Sequence, residues 1–273
     1  MKQWATLCLT AALFAACLEE DTPLLPIEEV PGMVLTERMN TDGGIADRTE
    51  EFYYNEAHQL TRRIIKQKTT VTINGYTDYD SLRLENRITY SDREAVVTDA
   101  FDNVSTYILN EKGYATSCIR REGKGTNTVR VYTFAYSDDA TLTEIMEIIN
   151  GEIYSRIKLQ PLTDKTVSLT AESGLTNTFL LTLGKENTSH LPWLYLAELY
   201  PLNLHQEAMY AQLLGKTPKW LIHTLQPEGG DEIVIFTYTN DKADNLSSCK
   251  ISTQSGGYVY NRTVNYTINP EKR

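Results

Sequence analysis

Alternation with a period of two, repeated around one plan of turn, constrains this chain more than any other feature. In YVYNRTVNYTI, residues 258–268, Tyr258, Tyr260, Arg262, Val264, Tyr266 and Ile268 fall on one side of the chain. Val259, Asn261, Thr263, Asn265 and Thr267 fall on the other, which describes a strand with one wetter face. VRVYTFAYS at 129–137 also alternates, with both faces apolar enough for deeper burial. FYYNEAHQLTRRI (52–64), YILNEKGYATSCI (107–119), FAYSDDATLTEI (134–145) and FTYTNDKADNLSSCKI (236–251) share one plan. Each runs from an aromatic strand end through a cluster of Asn, Asp or Ser into a second strand. Short Asn and Asp side chains bond their own backbone and tolerate left-handed geometry, so these clusters are turn chemistry. Consecutive hairpins predict a mainly-β fold, an antiparallel up-and-down meander curling into a barrel or half-barrel that hides its edges.

One region breaks the period. LHQEAMYAQLLGKTPKW (204–220) sets Leu204, Ala208 and Ala211, with Met209 and Leu213, on adjoining helical rows. Gly215 stands where a C-terminal cap glycine belongs and Pro218 blocks continuation. A late helix over about 204–214 is expected, as a plug or lid. The stretch LPWLYLAELYP (191–201), bracketed by Pro192 and Pro201, reads as a short buried element.

The N-terminus sets the compartment. Lys2, an apolar run from Trp4 to Ala16 and the small pair Ala15-Ala16 before Cys17 form a secretory signal layout, too short to span a bilayer. Leu13-Phe14-Ala15-Ala16-Cys17 resembles a lipobox, which assigns residues 1–16 to a signal peptide and Cys17 to lipidation. Residues 17–31 carry Glu19, Glu20, Asp21 and three prolines, the composition of an extended tether. Residues 32–273 are then a single barrel-like domain, within the size of an all-β unit. The acidic run behind the cysteine resembles the surface-export tag of Bacteroidota-type lipoproteins. The expected location is the outer membrane, lipid-anchored and facing the cell surface.

Charge excludes one class of partner. The chain carries −10, and residues 1–16 hold only Lys2, so without them it carries −11. Nothing here offers the basic patch that nucleic acid needs. Of the cysteines beyond Cys17, Cys118 and Cys249 sit at similar points of their repeat copies. They are a candidate disulfide in an oxidising compartment; the alternative is two small buried apolar side chains.

The words that spell chemistry are weak. Gly229-Gly230-Asp231-Glu232 matches the signature turn of diguanylate cyclases, but that reading needs an α/β domain before it and more than the 41 residues that follow. A tight glycine turn feeding a strand is the better reading. Gly215-Lys216-Thr217 ends like a phosphate loop without its first glycine, and it follows a helix, where phosphate would meet the negative end of the dipole. The four histidines, His58, His190, His205 and His223, show no metal spacing, and no Gly-x-Ser-x-Gly elbow is present. Asp138-Asp139 and Asp241–Asp244 fall in turns without the alternating oxygen ligands of a calcium loop. No cofactor or metal is expected. Among the 17 tyrosines and the tryptophans, Trp193, Tyr195, Trp220, Tyr258 and Tyr260 are the ligand-binding candidates, since such rings stack on sugars or line apolar pockets.

The lipobox, the acidic tether, the aromatic hairpins and Leu213-Leu214-Gly215-Lys216-Thr217-Pro218-Lys219 after a late helix together resemble one family. It is the bacterial lipoprotein family of domains of unknown function with a porin-like fold. The resemblance covers about residues 32–268 and implies a fold but no activity. Asp80-Ser81-Leu82 resembles the O-glycosylation tripeptide of the same bacteria, making Ser81 a candidate sugar site.

The function expected is therefore non-enzymatic binding by a membrane-anchored lipoprotein, with a lipid-like or glycan ligand. The alternative is a structural or docking lipoprotein that partners an outer-membrane complex and holds no small ligand.

Overall fold

The computed structural model describes residues 29–41, 44–73, 76–123, 128–255 and 258–273. Sixteen antiparallel strands close into one barrel in strict chain order, settling the choice between barrel and half-barrel. The first half comprises β1 (Met33–Thr41), β2 (Gly44–Tyr54), β3 (Leu60–Ile73), β4 (Tyr76–Tyr90), β5 (Glu94–Thr98), β6 (Val104–Leu109), β7 (Ala115–Arg121) and β8 (Val129–Tyr136). The second comprises β9 (Leu142–Ile149), β10 (Glu152–Thr163), β11 (Thr166–Ser173), β12 (Leu175–Glu186), β13 (Trp220–Pro227), β14 (Ile233–Asn240), β15 (Leu246–Ser255) and β16 (Tyr258–Ile268). Closure is the pairing of β1 with β16, from Met33 opposite Ile268 to Glu37 opposite Val264.

The repeated polar clusters are one turn used many times. In β2–β3 the Asn55 Oδ1 accepts from the backbone of Ala57 and Gln59, at 3.0 and 2.9 Å, and His58 takes φ 58°. Asn110 repeats this with Lys112 and Tyr114 at 2.9 and 3.0 Å, with Gly113 left-handed. Asp241 repeats it with Ala243 and Asn245 at 2.8 and 2.9 Å, with Asp244 left-handed. The side chain replaces a backbone acceptor, and the left-handed residue adds the bulge that returns the strand in register. Shifts at Tyr53/Tyr54, Ile108/Leu109 and Thr239/Asn240 mark those bulges. These turns, both described ends of the chain and the β12–β13 connection lie at one rim, called here the mouth. Gly229-Gly230 makes the β13–β14 turn at the other rim, with Gly229 at φ 72° and Gly230 N–H donating to Pro227 at 3.1 Å, so the cyclase spelling is a hairpin.

The outer wall is wet. Lys66 pairs with Glu51 at 2.5 Å, Arg83 and Arg87 with Glu85 at 3.0 and 2.9 Å, and Arg156 with Glu144 at 3.4 Å. The inner wall takes the alternate residues: Phe52, Tyr107, Cys118, Tyr132, Ile145, Ile157 and Leu169 are sealed from solvent. One hairpin overshoots the barrel. β4 pairs with β3 out to Tyr76 but with β5 only over Arg87–Tyr90, so its outer part has a free edge bearing exposed Tyr76, Tyr79 and Leu82.

The late helix is shorter than its sequence rows imply. It consists of a 3₁₀ turn (Leu202–His205) and α2 (Gln206–Tyr210); α1 (Leu194–Glu198) lies in the preceding stretch 191–201, and all three fall inside the 33-residue connection 187–219. The Tyr200–Pro201 peptide bond, between α1 and the 3₁₀ turn, is cis. The connection folds inward, with Leu202, His205 and Ala208 wholly buried, and is the plug that the apolar rows of 204–214 anticipated.

Candidate functional site

Asn187 forms the neck of the plug. Its Nδ2 donates to the carbonyls of Leu191 and Pro218, at 2.8 and 2.9 Å, clasping the outgoing and returning chain together. Beyond the neck, the plug is bonded to one side of the wall. Arg63 of β3 donates to Glu50 at 2.8 Å, to Glu207 of α2 at 2.8 Å and to Gln206 at 2.6 Å. Asn86 of β4 adds a bond to Glu207 at 2.5 Å. Arg262 of β16 joins Glu198 of α1, at 2.7 and 2.6 Å, to Glu37 of β1. Tyr200 donates to Glu147 of β9, which also accepts from Arg130 and Ser155 at 2.7 Å and from Tyr132 at 3.1 Å. Backbone bonds complete the attachment, Ala115 N–H to Leu213 at 2.7 Å and Lys216 N–H to Ala140 at 2.8 Å.

Burial alone would raise the carboxyl pKa of Glu50, but Arg63 and Arg48 outweigh it and hold the group below its ordinary value. Glu147 behaves likewise, with desolvation outweighed by its bonds to Tyr200, Arg130, Ser155 and Tyr132. His205 lies deepest. The Tyr107 hydroxyl meets its Nδ1 at 2.7 Å, and its ring stands edge-on to Tyr132, with centroids 4.3 Å apart. Burial first, then the charge of Arg120, push its pKa down to about 3. It is a neutral packing histidine.

On the other side no hydrogen bond or ion pair among the described residues joins the helical segment 194–210 to β10, β11 or β12. A cleft of about 880 Å³ opens there between plug and wall. The wall contributes Leu142, Leu159, Val167 and Leu183, and the plug contributes Trp193, Leu196, Met209 and Leu214. Lys165, Lys216 and Lys219 stand at its rim with Asp139 and Asp164. Gly215 is part of this wall because only glycine fits. Its φ is 88°, and a Cβ would lie 2.5 Å from the Ala140 carbonyl.

Of the ring candidates, Trp193 and Trp220 are brought together at this cleft, the Trp193 Nε1 donating to the Trp220 carbonyl at 2.8 Å. The Trp220 ring carries the Lys165 ammonium over its face, with the Lys219 ammonium 5.1 Å from its centroid. Tyr195 instead packs edge-on against Phe179, 6.1 Å between centroids, and burial raises its pKa. The side chains of Tyr258 and Tyr260, and Cys17 with the whole of 1–28, lie outside the described residues. Ser81 is exposed on the overshooting hairpin.

The candidate disulfide is overturned: Cys118 and Cys249 are both free and buried. They occupy β7 and β15, eight strands apart around a sixteen-strand ring, so closure holds them on opposite walls. Burial pushes both thiols up to about 12. Among the described residues no group of three His, Cys, Asp or Glu is placed to hold a metal. Asp139 and Asp241 spend their oxygens within their own turns.

Sequence reasoning missed the three lysines and the ionic pins. Parity held a signal for the latter, since Glu50, Phe52 and Arg63 fall on the inward side of their strands, where a charge needs a partner.

The barrel is similar in fold to solved structures. A porin-like protein from Bacteroides uniformis is 30% identical, covering 87% of this chain and 96% of that one, with a TM-score of 0.78. A porin-like protein from Bacteroides vulgatus is 10% identical over 89% of this chain and 100% of that one, with a TM-score of 0.54, a likeness of fold alone. No curated protein matches. The family model described as a domain of unknown function (DUF4595) with porin-like fold matches residues 52–248, from the aromatic end of β2 to the start of β15. With the barrel and that match in agreement, the chain belongs to the family of domains of unknown function with a porin-like fold.

Proposed function

We propose that this protein is a lipid-anchored, surface-facing binding protein of the outer membrane, and that it holds an apolar small molecule in the cleft between plug and wall. The observation that carries this reading is the cleft itself. At about 880 Å³, with leucines, Val167 and Met209 in its walls, it has the size and lining of small-molecule sites. The occupant is lipid-like rather than a glycan, because a sugar needs an open ring face. Trp193 is nearly buried, and the face of Trp220 carries a lysine.

Anchoring by the Cys17 lipid, rather than by the barrel, fits the outer wall. A spanning barrel needs an outward apolar band about 25 Å tall. Exposed Arg83, Arg87, Lys66 and Lys158 stand on this wall instead. A non-enzymatic role fits the inert thiols and the neutral, sealed His205.

The chain from Cys17 onward keeps only Trp193 and Trp220, so its tryptophan emission reports the cleft. Native mass spectrometry of that chain, purified without detergent, is expected to show a bound apolar mass whose removal red-shifts the emission. A clean mass, together with emission that no apolar compound alters, would sink this reading. The docking alternative rests on the overshooting β3–β4 hairpin with its exposed Tyr76, Tyr79 and Leu82. Cross-linking from Tyr79 in intact cells is its test, and a partner found there would favour it.

A further inference from the structure

The cleft is apolar inside and cationic at its edge, in a chain of net charge −10. We infer that its ligand is a single-chain amphiphile with an anionic head, a carboxylate or phosphate, seated with its chain along Leu142, Leu159, Leu183 and Leu196 and its head on Lys165, Lys216 and Lys219. This rests on the binding reading above and names the ligand's class. Three observations carry it.

The first is charge. Three ammonium groups and two carboxylates, Asp139 and Asp164, meet at the cleft, a local excess of one positive charge against the sign of the whole protein. Low-dielectric walls focus such a field on an incoming anion. The second is availability. Most cations of the barrel are spent: Arg63, Arg120, Arg130, Arg156 and Arg262 all pair with carboxylates. Lys165, Lys216 and Lys219 have no carboxylate partner among the described residues. Asp139, one of the two rim carboxylates, is occupied instead by Ser137 and Thr141. The third is position. Lys216 and Lys219 sit on the returning segment of the plug, fixed by the backbone bond of Lys216 to Ala140 at 2.8 Å and that of Asn187 to Lys219 at 2.9 Å. Lys165 faces them from the β10–β11 turn, its ammonium 3.2 Å from the Gly184 carbonyl. A head at the rim therefore meets cations from both walls while its chain passes inward. A cleft of about 880 Å³ is on the scale of one small molecule, which favours an extracted single chain over docking on a bilayer.

The test is calorimetric titration of the processed chain with three soluble ten-carbon probes: decanoate, decanol and decyltrimethylammonium. Decanoate is expected to bind at least tenfold more tightly than decanol and the cationic probe least. The preference should shrink several-fold between low salt and 1 M salt, since exposed charges are screened. Replacing the lysines together, K165Q/K216Q/K219Q, should erase the decanoate preference, and the arginine versions of positions 216 and 219 should restore it. The outer-wall change Lys66→Gln should leave the preference intact. Equal affinity for decanoate and decanol, or a preference that survives the triple change, would overturn the anionic-head assignment while leaving the apolar cleft standing. If none of the three probes binds, the cleft reading itself fails. Co-sedimentation with phosphatidylglycerol vesicles without decanoate binding would overturn it in favour of a membrane-docking surface.

Discussion

The plug has two unlike sides. Toward β16, β1–β4 and β9 it is bonded through charged groups: Arg63 to Glu207 and Tyr200 to Glu147, both buried, and Arg262 to the half-exposed Glu198. Toward β10–β12 it offers Trp193, Leu196 and Met209 and leaves a gap. Buried ion pairs add little net stability over well-packed apolar residues, but losing one partner is expensive. They therefore fix one arrangement. The bonded side sets where the plug stands, and the apolar side inherits a cleft whose width the ligand need not create.

The contrast can be broken from its strong side first. Arg63→Ala leaves buried Glu207 without its cation and takes from Glu50 one of its two, and is expected to cost about 3–5 kcal/mol in urea unfolding. Arg83→Ala on the outer wall should cost less than about 0.5 kcal/mol. Similar losses for the two would erase the distinction.

Acid tests the same side through His205. Its folded pKa, near 3, lies below the unfolded value of 6.5, so the neutral ring's contribution is complete above pH 6.5 and is lost as pH falls toward 3. Between pH 6.5 and 4.5 this removes about 1.4 kcal/mol per unit, roughly 3 kcal/mol in all. Glu50 and Glu147, held below 4.5, lose their contribution only below that window. Stability curves of His205→Gln should flatten between pH 6.5 and 4.5. An unchanged slope would assign the acid sensitivity elsewhere.

Gly215 lies at the seam between the two sides. Gly215→Ala puts a Cβ against the Ala140 carbonyl at positive φ, for an expected loss of about 1–3 kcal/mol by thermal unfolding. A small stability effect, with a large one on binding, belongs to the open side. Leu183→Trp fills the cleft, and should change stability by under about 1 kcal/mol while abolishing decanoate binding by calorimetry. A large stability loss there would mean that the gap is packed after all.

Much of the barrel was legible because its instructions are local. Asn55, Asn110 and Asp241 each build their turn from atoms within four residues, so the hairpin plan could be read directly. Gly215 was readable for the same reason. The plug was half legible: its apolar rows announced burial, but the side chains that Glu207 and His205 must meet reduce the expected helix to a 3₁₀ turn and one short α-helix. The site was less legible still. Arg63 finds Glu207 across 144 residues and Arg262 finds Glu37 across 225, pairings that only closure creates. Among the rings, Trp193, Trp220 and Tyr195 look alike in composition, and the neighbours that decide their roles come from other strands. Lys165, Lys216 and Lys219 are ordinary surface lysines until β10–β11 and the returning plug face each other.

The even number of strands has a geometric consequence. A sixteen-strand meander returns to the rim from which it started, so the chain enters at Met33 and leaves after Ile268 beside the mouth of the cleft. A stretch as long as residues 17–31 spans at most about 50 Å even if fully extended. Anchored through Cys17, the molecule would hang like a lamp with its opening turned to the bilayer, and a chain drawn from that bilayer would have little water to cross.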